Sequence, residues 1–273
     1  MRGKLLAATS LVCLAAAGTA SAAGPITAAP NTYTGNFSVA GGAAGTVAKP
    51  KAVSMVETLG MGSSTAGNVG APLVEIKTTT YGVSAPYAKY FPKCTASQIN
   101  GQGGSTQKWN AVCPKGSLVA TGTVNAALTS PTTNLLGPGA PCALQLWVYN
   151  AGPGLETFFF TTTPSACDGL TTGAAAAWTG KVYSKGKYLV TDTPEPADVS
   201  YNAGNVGLFG SLESETLNFK KLTVTHAGKV YPYLESIGCS KHTRPWTISY
   251  TATESNSGSP TLGAGTVSGT AGC

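Results

Sequence analysis

The sequence predicts an all-β protein: an antiparallel β-sandwich of jelly-roll type, stapled by disulfides and holding little helix. Three observations carry this. Apolar and β-branched runs are short and are punctuated by Gly, Pro, Asn and Asp every ~8–12 residues. No helical apolar pattern persists beyond about three turns, and no internal repeat is present. The cysteines behind the first 22 residues are even in number, as in a disulfide framework.

Residues 1–22 read as a secretory signal peptide. Arg2 and Lys4 form a basic start, residues 5–17 an apolar stretch, and Ala20-Ser21-Ala22 a small-residue cleavage site. Residues 23–48, rich in Gly, Ala, Thr and Pro, read as an extended N-terminal arm with one strand at 33–39. Residues 49–273 read as a single large sandwich domain. Its first strands are 53–59 and 73–81, separated by a Gly/Ser loop.

Residues 82–91 bring Tyr87, Tyr90 and Phe91 just ahead of Cys94, where they read first as rings packed over the end of the sandwich beside the disulfide and alternatively as an exposed sugar-stacking platform. Strands at 118–128 and 143–149 flank a Pro/Gly loop at 131–141. In the strand at 156–163, Phe158-Phe159-Phe160 cannot all share one face, because side chains alternate along a strand. Either both faces are covered or one ring is free for a partner. Residues 178–191 read as a hairpin with Lys181, Lys185 and Lys187 near its tip, followed by an acidic, Pro-rich loop holding Asp192, Glu195 and Asp198.

A three-stranded meander is expected over 217–251, with a bulge at Lys220-Lys221. It places His226 and His242 at opposite ends of one strand, roughly 30 Å apart at ~3.3 Å per residue, too far to share a metal. Residues 255–272 read as a loose Gly/Ser/Thr-rich tail that Cys273 pins.

Losing Cys13 with the signal leaves Cys94, Cys113, Cys142, Cys167, Cys239 and Cys273. Six cysteines allow fifteen connectivities. Sequential pairing is expected, because each neighbouring pair flanks one loop-rich segment. With all six paired, no thiolate is left for catalysis or metal binding.

One stretch resembles a known group. The order is Lys49-Pro50-Lys51, Ala71-Pro72-Leu73, Tyr81-Gly82-Val83, Pro92-Lys93-Cys94-Thr95 and Cys113-Pro114-Lys115-Gly116. It resembles an uncharacterised family of secreted bacterial β-sandwich proteins with disulfides, best over 49–130 and more weakly over 217–251. The resemblance implies export and a β fold, and brings no activity with it.

The chemistry is defined mostly by what is missing. There is no nucleophile elbow, H-E-x-x-H, Walker loop, C-x-x-C or dinucleotide fingerprint. Behind the signal, 15 basic residues face 11 acidic ones, and the charge is dispersed. No clustered basic footprint for nucleic acid is present, and no apolar run is long enough for a spanning helix. No cofactor and no metal is expected. The acidic loop lacks EF-hand spacing, and its prolines account for a rigid turn.

Paired carboxylates remain the one catalytic option. Glu213 and Glu215 would share a strand face, and so would Glu57 and Glu75 if their strands paired, within the ~5–10 Å of a glycosidase. The expectation is instead a non-catalytic protein, secreted or held at the cell envelope, with a binding or structural role. Tyr87, Tyr90 and Trp178 are its candidate contact residues, and envelope polysaccharide or a surface protein its expected partner. The alternatives are a jelly-roll glycan hydrolase and a self-assembling or adhesive subunit.

Overall fold

The protein was analysed as a computed structural model, which describes residues 23–41, 44–102, 109–129, 139–161, 167, 176–203, 207–255 and 257–273. The expected signal peptide lies outside the described residues, as does most of the loop at 131–141. In chain order the strands begin with β1 (Ala23–Ala28), β2 (Asn31–Ala40), β3 (Lys51–Ala52), β4 (Ser54–Ser63), β5 (Leu73–Tyr81) and β6 (Val83–Ser84). A 3-10 turn (Ala88–Tyr90) and two short helices, α1 (Ala96–Asn100) and α2 (Trp109–Val112), lead to β7 (Leu118–Thr129), β8 (Ala140–Gly152) and β9 (Leu155–Thr161). Then come β10 (Trp178–Lys185), β11 (Tyr188–Pro194), β12 (Phe209–Phe219), β13 (Thr223–His226) and β14 (Lys229–Pro232). The chain closes with β15 (Glu235–Ser236), β16 (Thr243–Ala252) and β17 (Gly265–Gly272).

Twelve strands form one antiparallel sheet in the order β1-β2-β4-β12-β7-β8-β9-β10-β11-β5-β16-β17. Its edges return to each other, with β17 lying against β2 and β1, so the sheet is nearly a barrel. The expected antiparallel, disulfide-stapled chain with little helix is what the structure shows. Instead of two stacked sheets, however, it has one continuous sheet that curls until its ends meet.

The reason is legible at the seam. The inward positions of β17 are small, and β16 sets Tyr250 opposite Gly265, Ile248 opposite Val267 and Trp246 opposite Gly269. The rings of β2 reach across this low strand. Tyr33 stacks on Tyr250 with centroids 4.5 Å apart, and Phe37 meets Trp246 at 5.4 Å. A Cβ on Gly265 would run into the Tyr33 ring, so glycine is required there by close approach.

Register then sorts the faces, because directly opposed residues share one side. Phe37, Glu57, Leu217, Gly122, Leu146 and Phe160 follow one another across six adjacent strands and point inward. One residue over, Asn36, Thr58, Thr216, Thr123, Gln145 and Thr161 form the matching outward row. The inward row is apolar apart from Glu57, and the outward row is polar. No helix among the described residues is long and apolar enough to cross a membrane.

The three phenylalanines use both faces. Phe158 and Phe160 point inward against Trp178, at 5.7 and 5.0 Å between centroids. Phe159 points outward into a second core with Cys94, Ile99, Tyr149 and Ala177. Helix α1 provides the cover: Thr95 caps it, its side chain accepting from Gln98 N while Gln98 Oε1 accepts from Thr95 N. All three rings are buried, and none is free for a partner.

Three disulfides pair in sequence as expected: Cys94–Cys113, Cys142–Cys167 and Cys239–Cys273. Other expectations need correction. The meander over 217–251 does not form. The chain breaks at Lys220-Lys221, so β12 pairs with β4 and β7, β13 and β14 make a separate ribbon, β15 sits between β3 and β6, and β16 joins β5 and β17. The two histidines therefore do not end one strand: His226 closes β13, and His242 lies in the turn before β16. Residues read as an arm supply β1 and β2, and those read as a loose tail supply β17.

Candidate functional site

Two groups of polar and aromatic side chains stand out, one on the surface and one inside the barrel. The surface group begins where β6 leaves the small β3-β15-β6 sheet. Tyr87 caps the 3-10 turn and Tyr90 ends it, and the β13–β14 ribbon brings Tyr231 and His226 to meet them. Val224 is opposed to Tyr231 and His226 to Lys229, so these four share one face of the ribbon. Tyr90 lies on that face, 4.6 Å from the His226 ring and 4.5 Å from Tyr231. Tyr87 sits 4.9 Å from Tyr231 and 6.2 Å from Tyr90. Lys89 Nζ is 5.0 Å from the Tyr90 ring centre, within cation–π range.

All three tyrosines are half-buried and His226 is exposed. Burial raises the pKa of Tyr87, with the carboxylate of Glu235 adding to it, so its hydroxyl stays a neutral donor and acceptor.

This cluster is held from below by one residue that sequence reasoning passed over. Asn150, fully buried on β8, donates from Nδ2 to the carbonyls of Ala88, Phe91 and Pro92 at 2.9–3.2 Å. Its Oδ1 accepts from Gly152 N at 3.1 Å, and its backbone carbonyl accepts from Cys94 N at 2.9 Å. The tyrosine turn is thus tied to the rigid sheet rather than left as a free loop. Nothing in the local sequence marks this asparagine, because its partners are some 60 residues away.

Inside, four glutamates from different parts of the sheet converge on one void: Glu57 on β4, Glu215 on β12, Glu156 on β9, and Glu195 just after β11. Leu59, Ile76, Phe158, Phe160 and Trp178 complete much of the wall, and no basic residue lines it. The void is about 30 Å³, and an adjoining one sharing Glu195 and Glu215 is about 40 Å³. Each holds roughly two or three waters and no sugar ring.

Burial without a counter-charge raises every one of these carboxyls. Glu156 and Glu215 are pushed up to about 7 and Glu195 to about 8, the last helped by Glu215. Glu57 is raised well above the usual range by burial first, then by Glu215 and Glu156. Glu195 and Glu215 keep partial exposure because they border the void, yet both lie deep among protein atoms. Glu156 Oε1 accepts from Tyr233 Oη at 2.8 Å, and Oε2 has no partner.

The residues proposed from sequence part company here. Tyr87 and Tyr90 come together on the surface. Trp178 does not join them: it packs on Phe158 and Phe160 and lines the interior void, because β10 pairs with β9 and sets Trp178 opposite Phe158. The carboxylate pairs dissolve as well. A bulge between Leu212 and Ser214 turns Glu213 out to solvent while Glu215 points in. Glu57 is opposed to Phe37 and Leu217, far in register from Glu75, which sits opposite Pro194 and Thr251 on the outer face.

The acidic loop also splits. Asp192 pairs with Lys77 at 3.2 Å, Glu195 enters the barrel, and Asp198 accepts from Ala176 N. Among the described residues, no group of three His, Cys, Asp or Glu side chains is arranged to hold a metal. Glu57 and Glu156 are 4% and 1% exposed, so a glycan chain does not reach them.

No family model, no curated protein and no solved structure matches this chain.

Proposed function

We propose that the chain is a non-catalytic binding protein of an oxidising, extracytoplasmic setting, secreted or held at the cell envelope, with the Tyr87–Tyr90–Tyr231 cluster as its contact surface. The observation that carries this is the cluster itself. Three half-exposed tyrosine rings and an exposed histidine meet on one side of a ribbon, and Asn150 fixes the turn that presents them. Such rings offer apolar faces and hydroxyls at low entropic cost, which suits stacking on sugar rings. Three disulfides accord with the setting, and the resemblance to secreted bacterial β-proteins points the same way.

The hydrolase alternative draws little support from the interior carboxylates, which border voids of only about 30 and 40 Å³ with Glu57 and Glu156 buried. The adhesive alternative rested on an exposed Phe158–Phe160 run or an exposed N-terminal arm; the phenylalanines are buried, and the arm enters the sheet as β1 and β2.

The experiment is to incubate the oxidised protein with soluble and insoluble polysaccharides and native envelope fractions, following retention and release of reducing sugar together. Retention without release is expected. Sugar release that disappears in Glu215→Gln would overturn the non-catalytic reading, and retention unaffected by Tyr90→Ala would move the contact surface elsewhere.

A further inference from the structure

The tyrosine cluster does not stand on neutral ground. Residues 220–232 hold Lys220, Lys221, His226 and Lys229 and no carboxylate, and residues 85–93 hold Lys89 and Lys93 and none either. Two of these cations belong to the same face as the rings, Lys89 by contact and Lys229 by register. Lys229 is opposed to His226 on the ribbon face that Tyr90 covers, and Lys89 lies over the Tyr90 ring. Both ammonium groups are exposed, and neither has a carboxylate partner among the described residues, where the ion pair is Lys77–Asp192. Glu235, the carboxylate that acts on Tyr87, is 5% exposed and accepts from Ser84 Oγ at 3.1 Å. Aromatic faces bordered by unpaired cations complement a ligand that joins sugar rings to negative charge.

We propose that this surface binds an acidic polysaccharide, its sugars lying against the solvent-exposed edges and hydroxyls of the tyrosine cluster and its anionic groups pairing with Lys89 and Lys229; this rests on the binding reading above. The tyrosines supply contact area, and the two lysines supply discrimination against neutral glycans. Rim charges of this kind act over a Debye length of ~8 Å at physiological salt, so the preference weakens as salt rises.

The test is affinity electrophoresis of the oxidised protein through gels containing polygalacturonate, alginate, neutral dextran or amylose, with a single-stranded oligonucleotide as a further probe. Expected is retention by the acidic polymers roughly tenfold stronger than by the neutral ones, a difference of ~1.4 kcal/mol. It should fall in the double variant Lys89→Ala/Lys229→Ala, whose exposed positions leave the fold intact by thermal melting. Equal retention on acidic and neutral glycans would overturn this inference and leave the binding reading standing. Retention on none would overturn both. Stronger binding of the oligonucleotide than of any glycan would replace the polysaccharide with nucleic acid.

Discussion

Replacing Glu156 with glutamine removes one ionisable group from the barrel interior while keeping its shape and its acceptor for Tyr233. Folding holds this carboxyl at about 7 against an ordinary 4.5, because burial disfavours its charged form. The folded state therefore prefers the protonated acid. The stability linked to that proton is fully present below pH ~4.5 and is lost as the pH rises through 7. A rise of about 2.5 units at ~1.36 kcal/mol per unit makes the loss about 3 kcal/mol by pH 8.

The glutamine variant should match the parent near pH 4, apart from a constant cost for an amide placed where Oε2 had no partner. It should then gain about 3 kcal/mol over the parent by pH 8, or roughly 6–12 °C in Tm for a domain of this size. The assay is urea unfolding of both oxidised proteins at pH 4, 6 and 8, read as the difference between pH values rather than at any one. A stability difference that does not change with pH would refute the reasoning, since it would mean that Glu156 does not titrate between folded and unfolded states in this window. The other interior glutamates titrate nearby and couple to it, so the parent's total loss is broader than one group's.

Asn150→Ala should cost roughly 1–3 kcal/mol by removing the side-chain donor to the Phe91 and Pro92 carbonyls, while Ala88 O keeps its bond from Phe91 N, and should weaken glycan retention by releasing the tyrosine turn; urea unfolding and gel retention read the two effects. Gly265→Leu should lower stability by about 1–3 kcal/mol or prevent seam closure, because its side chain meets the Tyr33 ring; the near-UV signal of the Tyr33–Tyr250 pair reports it. Removing Cys94–Cys113 as the double serine variant should cost about 3 kcal/mol and speed amide exchange at Ile99 and Phe159, leaving the inner core protected.

Much of the architecture was legible in the sequence, because strands with a buried face write it in alternation. The span of β5 and the turn between β10 and β11 follow from pattern and turn residues alone. Pairing partners are less local. A strand as short as β15 gains its neighbours from register set elsewhere, and the small inward face of β17 acquires meaning only once Tyr33 and Tyr250 reach over it.

The interior glutamates were half legible. Glu57 stands between Met55 and Leu59, Glu156 alternates with Phe158 and Phe160, and Glu215 alternates with Leu217 and Phe219. Each therefore carries the parity of the apolar face, a signal that could have found them. Reading acids as solvent-facing by default hid it. Glu213 differs from Glu215 through a bulge, which alternation does not encode. Tyr87 and Tyr90 were visible as loop aromatics, whereas Tyr231, His226 and Asn150 were not, since long-range packing brings them there.

The central question is whether the tyrosine cluster is the contact surface. The deciding measurement compares the parent, Tyr90→Ala and Trp178→Phe for retention on the polysaccharide or envelope fraction that holds the parent best. Tyr90→Ala is expected to lose retention while still unfolding cooperatively with a small fall in Tm, and Trp178→Phe to lower Tm and keep retention. Retention that survives Tyr90→Ala and fails in folded Trp178→Phe would contradict that expectation.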